Sequence, residues 1–344
     1  MIAPGPLEAL LQEHFDPEWG AAFWLERRNA LSFDPLREIH SLEDLAQFGP
    51  MPMEALAARP VYDFLPRRYH AARHTCVAAE TGGTTGPPKR TLYLPGEFQA
   101  AFVTPFLAAA EVLHFPRDCD WLYIGPSGPH IIGKAARACA NAMGSVDPFT
   151  VDFDPRWVRR LAAGSMARER YLEHVLQQAE AVLAVENIGV LFTTPPVVAA
   201  LAERMDARRR AQIAGVHLGG MAPEPELWRR LHEEWFPNAC ILSGYGNSLA
   251  GVALQLESKP REMPVYFPHG ERLFFETRAA SPGGRGQVVF HRLDRSCLLL
   301  NVCERDEALA VDDTRWTGFG FQRVGLSDPR PLRATADPGA GGLY

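Results

Sequence analysis

The segment Glu80-Thr81-Gly82-Gly83-Thr84-Thr85-Gly86-Pro87-Pro88-Lys89 gathers glycine, hydroxyl groups and a cation into one short run. Glycines let a backbone approach an anion closely and turn successive N–H groups toward it; threonine hydroxyls add donors, and the lysine adds mobile positive charge. That combination suits phosphate. It departs from a Walker A loop, in which Lys directly follows the last Gly, because Pro87 and Pro88 intervene. A plain flexible turn would use the same Gly, Thr and Pro. Against that stands the scarcity of lysine: Lys89, Lys134 and Lys259 are the only three, and the remaining guanidinium or ammonium groups are all Arg.

Downstream of this loop, short apolar or β-branched runs at 121–125, 145–153, 188–195, 214–220 and 240–246 alternate with amphipathic stretches at 134–143, 167–184, 197–213 and 225–236. Strands alternating with helices of this length predict an α/β fold with a largely parallel sheet covered on both faces. Sites in such folds form on loops beyond the strand ends. After Leu254 the texture changes to turn-rich strands at 272–277, 286–293 and 297–302, which predicts a small β-rich subdomain. Upstream, residues 7–69 are helical and polar with aromatic insertions. The expected organisation is a helical cap over 1–70, an α/β core over 71–254, the β-rich subdomain over 255–320 and a short tail over 321–344.

Composition removes several function classes. Lys+Arg 35 against Asp+Glu 41 gives a net charge of −6, so no global basic field holds a nucleic acid. A hydrophobic fraction of 47% with 22% charged residues excludes a disordered chain. The start lacks the basic and apolar regions of a secretory signal, and the most apolar run, 181–202, contains Glu186, Asn187, Pro195 and Pro196. The expectation is a cytoplasmic protein with no membrane partner. Six cysteines occur without any C-x-x-C pair, which argues against a zinc or redox site. His70 and His74 lie at i and i+4, but no third ligand follows at a recognisable spacing.

T-G-G-T-T-G-P-P-K resembles the phosphate-binding signature of the adenylate-forming superfamily of acyl- and aryl-CoA ligases, peptide-synthetase adenylation domains and luciferases. Other segments resemble family motifs in the expected order: Gly125-Pro-Ser-Gly-Pro-His130, Leu218-Gly-Gly-Met221, Ser243-Gly-Tyr-Gly-Asn-Ser-Leu249 and Asn301-Val-Cys-Glu-Arg-Asp306. The resemblance implies the N-terminal domain of such an enzyme, with the mobile C-terminal domain missing. It assigns Thr81, Gly82, Gly83, Thr84, Thr85, Gly86 and Lys89 to the β- and γ-phosphates, and Asn247 and Ser248 to the α-phosphate. Tyr245, Gly246, Gly219, Gly220 and Met221 fall to adenine, Asp306 to ribose, and Pro126, Ser127, His130 and Gly244 to the acid. Lys89, Thr84, Ser248 and His130 are the implied catalytic groups. ATP is the implied cofactor, with AMP as bound product and Mg²⁺ accompanying the triphosphate without an assigned protein ligand. The lead-in with F-D-P, S-L-E-D-L and D-F-L-P-R-R is similar to the phenylacetate-CoA ligase branch, and within it to short aryl-acid adenylases of phenazine antibiotic pathways.

Two departures matter. Leu249 stands where the family carries a metal-associated Glu, and an aliphatic side chain cannot bind Mg²⁺. Only 38 residues follow Asp306, and no Lys follows Lys259 to supply the family's C-terminal catalytic lysine. Three readings remain. The first is an adenylase that activates a carboxylic acid, expected to be aromatic, for a partner acceptor: CoA, a carrier protein or a reductase. The second is a self-acylating synthetase using Cys303 or Cys297 near Arg295 and Arg305. The third is a nucleotide-binding module without turnover. A homodimer is compatible with all three.

Overall fold

The structure is a computed structural model and describes residues 5–82, 86–279, 281 and 283–332. β1 (Val77–Glu80) and β2 (Arg90–Tyr93) form a separate antiparallel hairpin, with Glu80 opposite Arg90. β3 (Asp120–Gly125), β4 (Phe149–Asp152), β5 (Ile188–Thr193), β6 (Gly215–Leu218) and β7 (Cys240–Asn247) are parallel, in the order β4-β3-β5-β6-β7. Beyond β7 the chain reverses. β8 (Gly251–Gln255) pairs antiparallel with β7, and β9 (Val265–Phe267), β10 (Leu273–Ala279), β11 (Gly286–Leu293), β12 (Leu298–Asp312) and β13 (Val324–Pro331) extend the sheet in the order β8-β9-β13-β12-β11-β10. The β-rich part is therefore an antiparallel wing of the same sheet, and the boundary expected at residue 254 falls near the end of β8.

The parallel strands are apolar on both faces. On β3, Trp121 and Tyr123 enter one core with the helix Ile131–Ala142, while Leu122 and Ile124 enter the other with the helix Met166–Val185. A strand covered on both sides needs apolar residues at every position, which is why these runs read as continuous rather than alternating. The stretch expected as one helix over 197–213 is two, Pro195–Arg204 and Ala207–Gln212. Met205 takes an extended backbone (ψ 138), and the Asp206 carboxylate caps the second helix by accepting the Arg209 amide at 2.7 Å.

The N-terminal helices Pro6–Phe15 and Ala22–Arg28 pack on the antiparallel wing. Trp24 Nε1 donates to the Leu298 carbonyl at 3.2 Å, and Asn301 Nδ2 donates to the Leu45 carbonyl at 2.6 Å. Behind the β1–β2 hairpin lies a buried ionic centre. Asp294 accepts from Arg272 at 2.9 and 2.6 Å and from Arg292 at 2.6 Å, and the Arg292 guanidinium stacks 3.7 Å over the Tyr93 ring. Arg292 also donates to Thr91 Oγ1 and the Leu92 carbonyl, both at 2.7 Å, and to the Leu249 carbonyl at 3.2 Å. One guanidinium thus ties β2 to the β7–β8 turn.

Candidate active site

The glycine-rich loop is the connection between β1 and β2, and its neck is closed by two hydrogen bonds. The Thr81 amide donates to the Lys89 carbonyl at 2.9 Å, and the Lys89 amide donates to Thr81 Oγ1, also at 2.9 Å. The Ser248 hydroxyl reaches the Glu80 carbonyl at 3.2 Å, and Tyr93 Oη donates to the Ser248 and Leu249 carbonyls at 3.0 Å each. The hairpin mouth and the β7–β8 turn are thereby held as one rim.

This rim opens on a cleft of about 500 Å³ at the carboxyl ends of the parallel strands. Thr81, Gly82, Gly86 and Lys89 line it from the hairpin, His130 from the start of the helix Ile131–Ala142, and Gly219, Gly220 and Met221 from the turn after β6. Gly244, Gly246, Asn247 and Ser248 line it from β7 and the turn that follows. Among the described residues the Lys89 side chain has no hydrogen-bond or ion-pair partner; it lines the cleft, and its charge acts on Glu304. Two glycines are required, one by space and one by backbone conformation. A Cβ at Gly246 would stand 1.9 Å from the Gly251 carbonyl oxygen, and Gly220 has φ +84, a region L-residues rarely adopt. His130 is buried, and burial, helped by Arg156, lowers its pKa and favours the neutral ring.

Four assigned residues do not line the cleft. Tyr245 points to the opposite face of β7 from Gly244 and Gly246, packs on Tyr266 and Phe275, and donates to Asp306 Oδ2 at 2.9 Å. Tyr245 and Asp306 thus engage one another. Ser127 donates its amide and hydroxyl to Asp152 at 2.8 and 2.6 Å, and the Pro126 carbonyl accepts from Tyr123 Oη at 2.9 Å. Both serve the turn after β3. Gly83, Thr84 and Thr85 lie outside the described residues.

The lining also holds a carboxylate that sequence reasoning missed. Glu304, two residues before Asp306 on β12, accepts from Asn247 Nδ2 at 2.5 Å. Asn247 Oδ1 in turn accepts the Leu249 and Ala250 amides at 2.8 and 2.9 Å, so this side chain builds the turn and holds the acid together. Burial, and the nearby charge of Asp306, push the Glu304 pKa up to about 7, while the Asn247 hydrogen bond and the Lys89 charge pull it back. The unfolded carboxyl ionises near 4.5, so between 4.5 and about 7 the unfolded chain gives up the proton first and stability falls as pH rises. Glu304→Gln is therefore expected to stabilise the protein at pH 8 by about 2 kcal/mol, a value reduced for the carboxyl's contact with the open cleft. At pH 4 the two proteins should unfold together. Thermal midpoints at the two pH values check the sign, and a Gln variant less stable at pH 8 contradicts it.

No known protein-family profile matches the chain, and no curated protein matches it. Solved structures do. The chain resembles 2-hydroxyisobutyryl-CoA ligase in complex with 2-HIB-AMP and CoA in the thioesterification state, at 17% identity and a TM-score of 0.63, over 95% of this chain and 65% of that one. An open conformation of the same ligase with the same ligands gives 17% identity and a TM-score of 0.60, over 94% of this chain and 72% of that one. The postadenylation state with R3-HIB-AMP gives 15% and 0.59, over 95% and 65%. This chain shares the fold of these ligase structures. It spans 65% of the length of the first of these structures.

Within this fold the remaining assignments fall as follows. Leu249 is buried, with its backbone held by Asn247, Tyr93 and Arg292, and it offers no oxygen for a cation from its side chain. Among the described residues no group of three or more His, Cys, Asp or Glu could hold a metal ion. Among those same residues no helix is long and apolar enough to cross a membrane. Cys297 is wholly buried, and burial pushes its thiol up. Cys303 lines the cleft, with Arg278 Nη1 3.8 Å from its Sγ.

Proposed function

We propose that the chain binds ATP in this cleft and joins it to a carboxylic acid, giving an acyl-adenylate and pyrophosphate. The observation that carries the reading is that Lys89, at the mouth of a glycine hairpin, lines the same cleft as the Gly219-Gly220-Met221 turn. The carboxylate attacks the α-phosphorus in line and pyrophosphate leaves, so the protein's task is to position two anions and neutralise charge on the phosphate oxygens. Lys89 and the loop donors take the β- and γ-phosphates, Ser248 stands at the α-phosphate, and the Gly219–Gly220 backbone receives adenine. His130, neutral and at the start of its helix, borders the acid.

Magnesium travelling with a triphosphate needs only one or two protein carboxylates, with water and phosphate supplying the remaining oxygens. Glu304, lining the cleft and sensing the Lys89 charge, fits that role. The phenylacetate-CoA ligase branch and an aromatic acid are the finer form of the proposal, resting on the lead-in motifs and the apolar cleft wall. CoA, a carrier protein or a reductase would consume the adenylate.

Cys303 favours a second reading. Its thiolate, next to Arg278, would attack the acyl carbonyl of the adenylate, forming a thioester and releasing AMP. Acid-dependent ATP–pyrophosphate exchange over a panel of aromatic and aliphatic acids tests the first reading, and intact mass after the same incubation tests the second. Exchange with unmodified mass supports adenylation alone. An acyl adduct lost in Cys303→Ala supports self-acylation. ATP binding without exchange for any acid overturns both in favour of a binding module.

A further inference from the structure

His217 is the penultimate residue of β6, 6% exposed, with its ring against Phe106 (5.0 Å) and Phe192 (4.2 Å), and it lines the cleft. Its Nδ1 lies 2.9 Å from the carbonyl of Leu242, its partner in register on β7. A carbonyl only accepts, so Nδ1 carries the proton and the neutral ring leaves a bare lone pair on Nε2. Burial lowers the pKa to about 4, which keeps the second proton off at neutral pH. No described residue donates to Nε2. Nε2 is not one of the sealed, unsatisfied polar atoms, so its lone pair opens on the cleft and can accept from a donor placed there.

Gly244 lets the wall close up beside the ring: a Cβ there would stand 3.0 Å from both Leu254 Cδ2 and Val252 Cγ2 and 3.7 Å from His217 Cε1. Phe102, Ile131 and Ile132 give the surrounding wall its apolar character.

We propose that this corner seats the body of the carboxylic acid and that His217 Nε2 accepts a hydrogen bond from a hydroxyl or amino group on it. The substrate class is a compact acid, apolar or aromatic in its body, with a hydrogen-bond donor remote from the carboxyl. The inference rests on the proposed adenylation reading, which places the nucleotide at the Lys89 end.

The experiment uses the full chain and matched pairs: benzoate against its hydroxy and amino isomers, and phenylacetate against its hydroxy isomers. Calorimetry with AMP present is expected to show the donor-bearing member of at least one pair binding roughly 10- to 100-fold tighter. His217→Leu should erase that preference and His217→Gln, which keeps an acceptor, should restore part of it. In the wild type, the nitrogen-15 signal of Nε2 should move with the donor-bearing acid and stay still with its unsubstituted partner, a readout that needs no variant to fold. Equal binding within every pair, a preference that survives in His217→Leu, or an unmoved Nε2 signal overturns the proposal. Exchange measured alongside separates the two readings. Exchange supported by acids without discrimination sinks the His217 subsite alone. Donor-dependent binding with no nucleotide binding sinks adenylation and leaves the subsite standing.

Discussion

Replacing Asp294 by alanine is expected to lower the free energy of unfolding by about 3–5 kcal/mol, the cost of stripping buried cations of their counter-charge. Asp294 is 3% exposed and Arg292 is fully buried. Burial alone would raise the Asp294 pKa, yet the charges and hydrogen bonds of Arg272 and Arg292 hold it below the usual carboxylate range. Without the carboxylate, both guanidinium groups keep their neutral partners, including the Ala250 carbonyl for Arg272 and the Leu92 carbonyl for Arg292, but face a buried environment with no anion between them. Water cannot replace it without opening the seam between the hairpin and the wing. Urea unfolding of the two proteins measures the difference, and a loss under about 1 kcal/mol would show the pair to be no more than a surface-like contact. Asp294→Asn, which retains an acceptor but no charge, should fall between. Because Arg292 anchors β2 and Ser248–Leu249 anchor the hairpin from the other side, part of the damage should appear as weaker nucleotide binding at temperatures where the fold persists.

This ionic centre shows where sequence reading stops. The sequence pattern gives Arg272 and Arg292 as members of turn-rich strands and says nothing of Asp294; their meeting in a buried centre covered by β2 depends on packing that no local pattern carries. The parallel strands were legible because each is a continuous apolar run, and two-sided burial leaves that signature regardless of partners. The glycine loop was legible for a different reason: its chemistry is local, and the hairpin that carries it adds only the closure between Thr81 and Lys89. The apolar run at 297–302 marks only the first part of β12, which continues through the charged residues 304–307 to Asp312 by pairing with β11 and β13. Glu304 lies on this continuation, beside β11, and reaches the cleft, and neither composition nor spacing marks it. His217 was hidden in the same way, since the tautomer that gives it a function is fixed by a carbonyl on the neighbouring strand.

Lys89→Ala is expected to cut acid-dependent ATP–pyrophosphate exchange by about 10²–10³, the usual consequence of losing one preorganised group aimed at developing phosphate charge. The substitution is unusually clean. Both hydrogen bonds at the neck use the Lys89 backbone, one with the Thr81 amide and one with the Thr81 hydroxyl, and the ammonium makes no hydrogen bond or ion pair with a described residue, so alanine leaves both bonds in place. Below the pH at which Glu304 ionises, stability without nucleotide should therefore change by less than about 0.5 kcal/mol. ATP affinity should fall while acid affinity, measured in the absence of nucleotide, stays where it was. Lys89→Arg should recover only part of the loss, because a planar fork replaces a compact point charge on a mobile stem. The Lys89 charge also favours the ionised form of Glu304, so its removal should raise that pKa further and deepen the stability loss between acid and neutral pH. Equal losses of ATP and acid affinity would mean that Lys89 supports the cleft as a whole. Undiminished exchange would mean that the triphosphate is held by other groups, and the hairpin would then lose its assigned role.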